Sequence, residues 1–152
     1  MKLGLAWTAY LILSFAIFLG LSNTLHAAIA YIFLLAPFYG VIGIIGGAIS
    51  LKNRHKIPIF NRVIWIIIFI LQSLISLTAA GNCYNFKQGS PCYSNLQILI
   101  GNAPRFGASD IPHWIIVEHA FFGFLAAYAV ALVMGVWSTK FKIRDHNPPT
   151  KP

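Results

Sequence analysis

The sequence predicts an all-α membrane protein, a four-transmembrane-helix antiparallel bundle with both termini in the cytoplasm. Three observations predict it. First, hydrophobic residues make up 58% of the 152 and charged residues only 9%, where a soluble domain carries about 25% charged residues. So few charges cannot coat a water-facing globule, and the mean hydropathy is +0.74. The apolar content, with 12 Phe, also excludes a disordered chain. Second, the apolar residues fall in continuous runs at about residues 3–21, 27–51, 63–80 and 113–138, each near the roughly 20 residues that cross a hydrocarbon core of about 30 Å. Continuous rather than alternating runs favour helices over barrel strands. Third, all of the 11 basic residues except Lys87 and Arg105 lie before span one, between spans two and three, or after span four. The positive-inside rule puts those three segments in the cytoplasm, and they agree only with an even number of spans. Residues 1–139 then form one transmembrane domain.

Span one follows Lys2 and carries no charge. Its competing reading is a signal peptide cleaved after Ala27, which would leave three spans in the same orientation. Against cleavage, the apolar stretch of about 19 residues exceeds the usual 7–15, and Leu25 would occupy a site that wants a small residue. The connection Ser22-Asn23-Thr24-Leu25-His26 is short enough to enforce an antiparallel helical hairpin. Span two carries a stripe of small residues, Ala36, Gly40, Gly43, Gly47 and Ser50, at alternating three- and four-residue spacing. Such a stripe lets helix backbones approach closely, within the bundle or against another protein. Pro37 should kink this span, because it removes one backbone hydrogen bond.

The segment from Lys52 to Arg62 is basic, a topology signal and lipid-headgroup contact, with docking of a partner as the alternative. The net charge of +8 follows from topology. A nucleic-acid partner is not expected, since the basic residues flank spans and form no separate domain. Span three holds Gln72, Ser73 and Ser76. Gln72 and Ser76 share a helix face and suit interhelical hydrogen bonding or a polar pathway.

Residues 81–112 form the one long loop, on the extracytoplasmic side. It contains both cysteines, Cys83 and Cys92, in a compartment where disulfides persist. A Cys83–Cys92 bridge is expected, with Gln88-Gly89-Ser90-Pro91 as a turn between them. Their spacing does not suit a thiol-oxidoreductase motif. Leu96–Ile100 is a short apolar stretch, read as a helical turn or a strand. Ser109 or Asp110 should cap span four, with Pro112 in its first turn.

Span four carries a second small stripe, Ala120, Gly123, Ala127, Ala131 and Gly135. Trp114 and Trp137 bracket it roughly 34 Å apart along a helix, and with Trp7 and Trp65 they suit an interfacial aromatic belt. The tail 140–152 is polar, basic and Pro-rich, and is expected to be disordered.

An ionisable residue inside a span is a functional hypothesis by default, and span four holds Glu118 and His119 near its outer end. His26, His113 and Asp110 lie at similar depth or just outside it. Together they form the candidate polar site, with Gln72 and Ser76 deeper in. One reading is a metal, haem-iron or proton-linked site, with His26 and His119 as the facing imidazoles a haem would need. The other is interfacial histidines and one acid satisfied locally. No His pair has a tight ligand spacing within one helix.

No catalytic set emerges. There is no acid pair placed for aspartyl hydrolysis, no G-x-S-x-G and no Walker loop. The bacterial quinone-reducing disulfide oxidases are similar in having four spans and an outer cysteine pair. They also need C-x-x-C at an outer helix end, where this chain has Ser22-Asn23-Thr24-Leu25. Small multidrug transporters carry their essential acid in the first span, which here has none. The expected function is therefore a non-enzymatic accessory, assembly or interaction subunit of a larger membrane complex. The alternatives are a small homo-oligomeric transporter or channel using Glu118, and a redox, haem or metal protein using His26, His113 and His119. The expected partners are the lipid bilayer and another membrane protein or a second copy. The expected location is the bacterial inner membrane.

Overall fold

In the computed structural model, which describes residues 2–84 and 92–143, the chain is mostly helical. Its elements run α1 (Lys2–Gly20), α2 (Leu25–Ala30), a π turn (Tyr31–Leu35), α3 (Ala36–Lys52), β1 (Lys56–Ile59), α4 (Arg62–Thr78), β2 (Ala80–Asn82), β3 (Tyr93–Ser94), α5 (Asn95–Leu99), α6 (Ile115–Trp137) and β4 (Lys140–Ile143). Among the described residues, two helices are long and apolar enough to cross a membrane, Ala27–Lys52 and Ile115–Trp137. The apolar helices at Gly4–Gly20 and Arg62–Thr78 are shorter.

The helix starts follow from local chemistry. Thr24 caps α2 by accepting from Ala27 N, Asn61 caps α4 by accepting from Val63 N, and Ser94 caps α5 by accepting from Gln97 N. The expected kink at Pro37 takes the form of the π turn just before it, where Ala36 N bonds to Tyr31 O. Pro37 has no N–H and its ring crowds the carbonyl four residues back, so the ladder shifts register upstream. The start of α6 corrects the expected one. Trp114, not Ser109 or Asp110, is its N-cap, and residues 108–114 run without helix. Ser109 Oγ accepts from Ile111 N instead. Pro112 stays outside the helix because its carbonyl is claimed by Gln97.

The four long helices share one core. α1 runs antiparallel along α3: Gly4 N donates to Ser50 Oγ at 2.9 Å, and Gly46 faces the Trp7 ring. α4 lies antiparallel along α6, where Gly135 meets Ile68 and Ile64. Aromatic contacts tie α1 to α4, with the Trp7 and Trp65 rings at 5.1 Å and Tyr10 on Trp65 at 4.9 Å. Phe18, Tyr31, Ile68, Ile75, Tyr128 and Leu132 are fully buried at the centre.

The small-residue stripes pack only in part. Gly43 and Ser50 face α1, but Gly40 and Gly47 meet nothing within contact distance, and Gly46, outside the stripe, is buried instead. Ala36 is half-buried. Ala131 and Gly135 are buried, whereas Gly123 and Ala127 are exposed. The two stripes therefore do not meet along their length.

Each end of the helices closes with a small two-stranded sheet. β1 pairs antiparallel with β4, joining Lys56 to Ile143 and Ile59 to Lys140. This corrects the expected tail: Lys140–Ile143 is a strand, because the antiparallel helices bring the segment after α6 beside the one before α4. The rest of the expected tail, 144–152, lies outside the described residues, as does the expected turn at 88–91. At the other end β2 pairs antiparallel with β3 through a register shift, and Cys83–Cys92 is bridged with an S–S distance of 2.07 Å.

Candidate functional site

The polar chemistry gathers in two places. The first is at the cystine end. Glu118 lies in the first turn of α6, where the helix dipole favours a carboxylate. Its Oε1 is 3.2 Å from His113 Nδ1, and the two side chains are 15% and 16% exposed. The His113 ring stacks on Tyr93, with centroids 4.0 Å apart and planes 9° apart. Tyr93 follows Cys92 directly in the chain, so the disulfide, the stacked pair and the carboxylate are continuous.

The strap before α6 is held by side chains. Tyr93 OH donates to Ser109 O and Ile111 O at 2.9 and 2.8 Å. Gln97 is fully buried; its Nε2 donates to Pro112 O at 2.7 Å, and its Oε1 accepts from Trp114 N. Asn95 secures the helix ends: Nδ2 donates to Ser76 O, and Oδ1 accepts from Asn23 Nδ2. Gly81 sits so close to Asn95 and Ile98 that no Cβ fits there without displacing them.

Ala27, Ala30, Thr78, Cys92, Phe121 and Glu118 help line a crevice of about 340 Å³ at this end. Its walls are apolar except for Glu118 and Thr78. The Glu118 carboxyl group, beside His113, can accept a cationic or hydrogen-bond-donating group. Among the described residues no group of three or more His, Cys, Asp or Glu side chains is placed to hold a metal.

The second place is the middle of the core. Tyr39 OH lies 2.6 Å from Tyr128 OH, Ser14 Oγ is 2.9 Å from both, and Tyr10 OH is 2.9 Å from Tyr128 OH. Tyr10 OH also donates to Gln72 Oε1 at 3.3 Å. The cluster joins α1, α3, α4 and α6 and is closed on itself. Among the described residues no buried side-chain nitrogen or oxygen lacks a partner.

The predicted site residues divide accordingly. The structure brings Glu118 and His113 together. It leaves His119 and Asp110 exposed. His26 belongs to α2, and its side chain lies outside the described ones. Gln72 joins the core cluster, while Ser76 Oγ donates to the Gln72 carbonyl of its own helix. Sequence reasoning missed Tyr10, Ser14, Tyr39 and Tyr128. The available signal was a hydroxyl on each of three apolar spans, with Tyr10 and Ser14 on one helix face; a hydroxyl in an apolar interior needs a partner.

A scan against protein-family models, a search of curated proteins and a search of solved structures each find no match for this chain.

Proposed function

We propose that this chain is a four-span integral membrane protein and acts as a non-enzymatic accessory, assembly or interaction subunit of a larger membrane complex. The observation that carries the reading is the separation of polar from apolar surface. Tyr10, Ser14, Tyr39, Gln72 and Tyr128 turn inward and satisfy one another, while Ser73, on the outside, bonds the Phe69 carbonyl of its own helix. Large apolar side chains turn outward on each long helix: Ile12 is 66% exposed, Phe33 72%, Ile66 58% and Ile116 87%. Water would make that surface an aggregation hazard, whereas lipid accommodates it. The 17-residue α4 reaches about 26 Å, slightly short of a hydrocarbon core of about 30 Å, a mismatch that local thinning or flanking side chains absorb.

The positive-inside rule orients the β1–β4 end to the cytoplasm and the cystine end outward, where a disulfide persists. In a bacterium this is the inner membrane. A closed interior argues against a conduit. An apolar groove of about 640 Å³ between α1 and α3, lined in part by Leu11, Phe15, Gly40 and Gly43, leaves room beside the helices for a neighbour.

The test is the native mass of the protein extracted in gentle detergent, with the eluate scanned for visible absorbance. Elution with other polypeptides, far above the mass of a small oligomer, is expected. Elution alone would overturn the subunit role, and a visible band would favour the haem or metal reading through His26, His113 and His119. The crevice beside Glu118 favours a second reading, a small homo-oligomeric transporter. Transport in proteoliposomes that survives Glu118→Gln would remove Glu118 from that role.

A further inference from the structure

The cytoplasmic end carries charges that nothing in the described chain answers. β1 and β4 bring Lys56, Lys140 and Lys142 together, with Lys52, Arg54 and Arg62 alongside, and all six are exposed. The acids of the described residues, Asp110 and Glu118, are both at the opposite end. Among the described residues, the one close contact between a carboxyl and a basic side chain is Glu118 with His113. Directly opposed residues of an antiparallel pair share a face, so Ile57 with Lys142 and Ile59 with Lys140 make one face of the ribbon. Both isoleucines are 50% exposed. Phe141, on the other face, packs against the core.

Beside this ribbon, Ala6, Trp7, Phe60 and Trp65 line a crevice of about 260 Å³. Cations flank it. Lys140 pairs with Ile59, the residue before Phe60, and Arg62 stands three residues before Trp65, on the same side of α4. An apolar, aromatic crevice near cations that are unanswered among the described residues matches a ligand with a negative head and an apolar body.

We infer that this end is a binding site for an anionic phospholipid of the cytoplasmic leaflet. Arg62 and Lys140 hold the phosphate, and the glycerol with its first acyl carbons enters the crevice between Trp7, Phe60 and Trp65. The guanidinium presents a planar fork of donors that suits phosphate oxygens. A zwitterionic headgroup also brings an ammonium against the uncompensated cations, so net negative lipids are preferred. Free phosphate gains nothing from the crevice. The inference rests on the four-span reading with this end cytoplasmic.

The experiment is native mass spectrometry of the full chain from mixed micelles holding equal phosphatidylglycerol and phosphatidylcholine of the same acyl chains. Phosphatidylglycerol is expected to be retained preferentially. Arg62→Gln and Lys140→Gln should each lower that preference by about fivefold, while Arg62→Lys and Lys140→Arg should keep most of it. If the Gln variants fail to fold, the unaltered protein decides: rising salt must erase the preference, since exposed charges are screened. Equal retention of both lipids, a preference untouched in the double Gln variant, or displacement by millimolar inorganic phosphate would each overturn the inference. Trypsin access to the Arg54–Lys56 segment in inverted and right-side-out vesicles tests the topology separately. Cleavage only in right-side-out vesicles would sink the four-span orientation whatever the lipid result.

Discussion

The two ends of the helices are closed by sheets of similar size and opposite character. At the cystine end, β2, β3, α5 and the strap before α6 are tied by long-range side-chain bonds. Gln97 reaches Pro112 and Trp114, Tyr93 reaches Ser109 and Ile111, Asn95 reaches Ser76, and the disulfide closes the set. The contact between His113 and Glu118 is also internal to this end. At the basic end, a single two-stranded ribbon joins two connections, and its cations point outward without partners in the described chain. The difference teaches that one end is cross-tied by its own side chains, whereas the other leaves its cations exposed.

Substitutions at the two ends should therefore fall into two ranges. The largest effect is expected from Cys83→Ser with Cys92→Ser, which releases the staple across β2 and β3. The chain-entropy account gives a loss of about 3 kcal/mol for a ring of this length, read as a lower unfolding temperature in detergent that a reductant reproduces in the unaltered protein. A loss under about 0.5 kcal/mol would break the comparison, since it would put the cystine among surface features. Next, Gly81→Ala should cost about 2 kcal/mol. The new methyl must displace Asn95 and Ile98, and Asn95 is held by Asn23 and Ser76. Thermal unfolding monitored by circular dichroism measures it, with Gly101→Asn, at an exposed loop glycine of positive φ, as the milder control.

Tyr128→Phe tests the core between the ends. It removes the hydroxyl shared by Tyr10, Ser14 and Tyr39. The expected cost is about 1 kcal/mol, because Ser14 and Tyr39 remain bonded to each other. The smallest effect belongs to the basic end. Lys142→Gln is expected to change stability by less than about 0.5 kcal/mol, while weakening retention of anionic lipid. A large stability loss there would mean that the ribbon holds the fold together, and would erase the contrast between the ends.

Much of the helical layout was legible. Long uncharged runs admit few structures other than helices, and the helices at Ala27–Lys52 and Ile115–Trp137 fall close to the expected second and fourth spans. The disulfide was legible from two cysteines in one loop that the charge pattern assigns to an oxidising compartment. The strand at Lys140–Ile143 was not, because its partner is the distant Lys56–Ile59 segment and its local composition resembles a tail. The small-residue stripes misled in part. Spacing alone does not say which face turns inward, and Gly40, Gly47, Gly123 and Ala127 lie off the packed faces. The candidate site was half legible. Glu118 and His113 stood out as ionisable residues near a span end, but their contact depends on the strap that Gln97 and Tyr93 hold. The tyrosine cluster stayed hidden because its members, with Gln72, lie on four separate helices.

Composition and charge placement by themselves determined that this is an apolar helical chain with a basic side and a cystine side. Hydrophobic transfer and the positive-inside bias act residue by residue and sum along the sequence. Only the tertiary structure decided which groups meet: Tyr10, Ser14, Tyr39, Gln72 and Tyr128 in the core, His113 with Glu118 at one end, and Lys140 and Lys142 opposite Ile59 and Ile57 at the other. A hydrogen bond or a shared surface depends on distances of a few ångströms between residues as many as 118 positions apart, and helix packing, the strap before α6 and the ribbon set those distances.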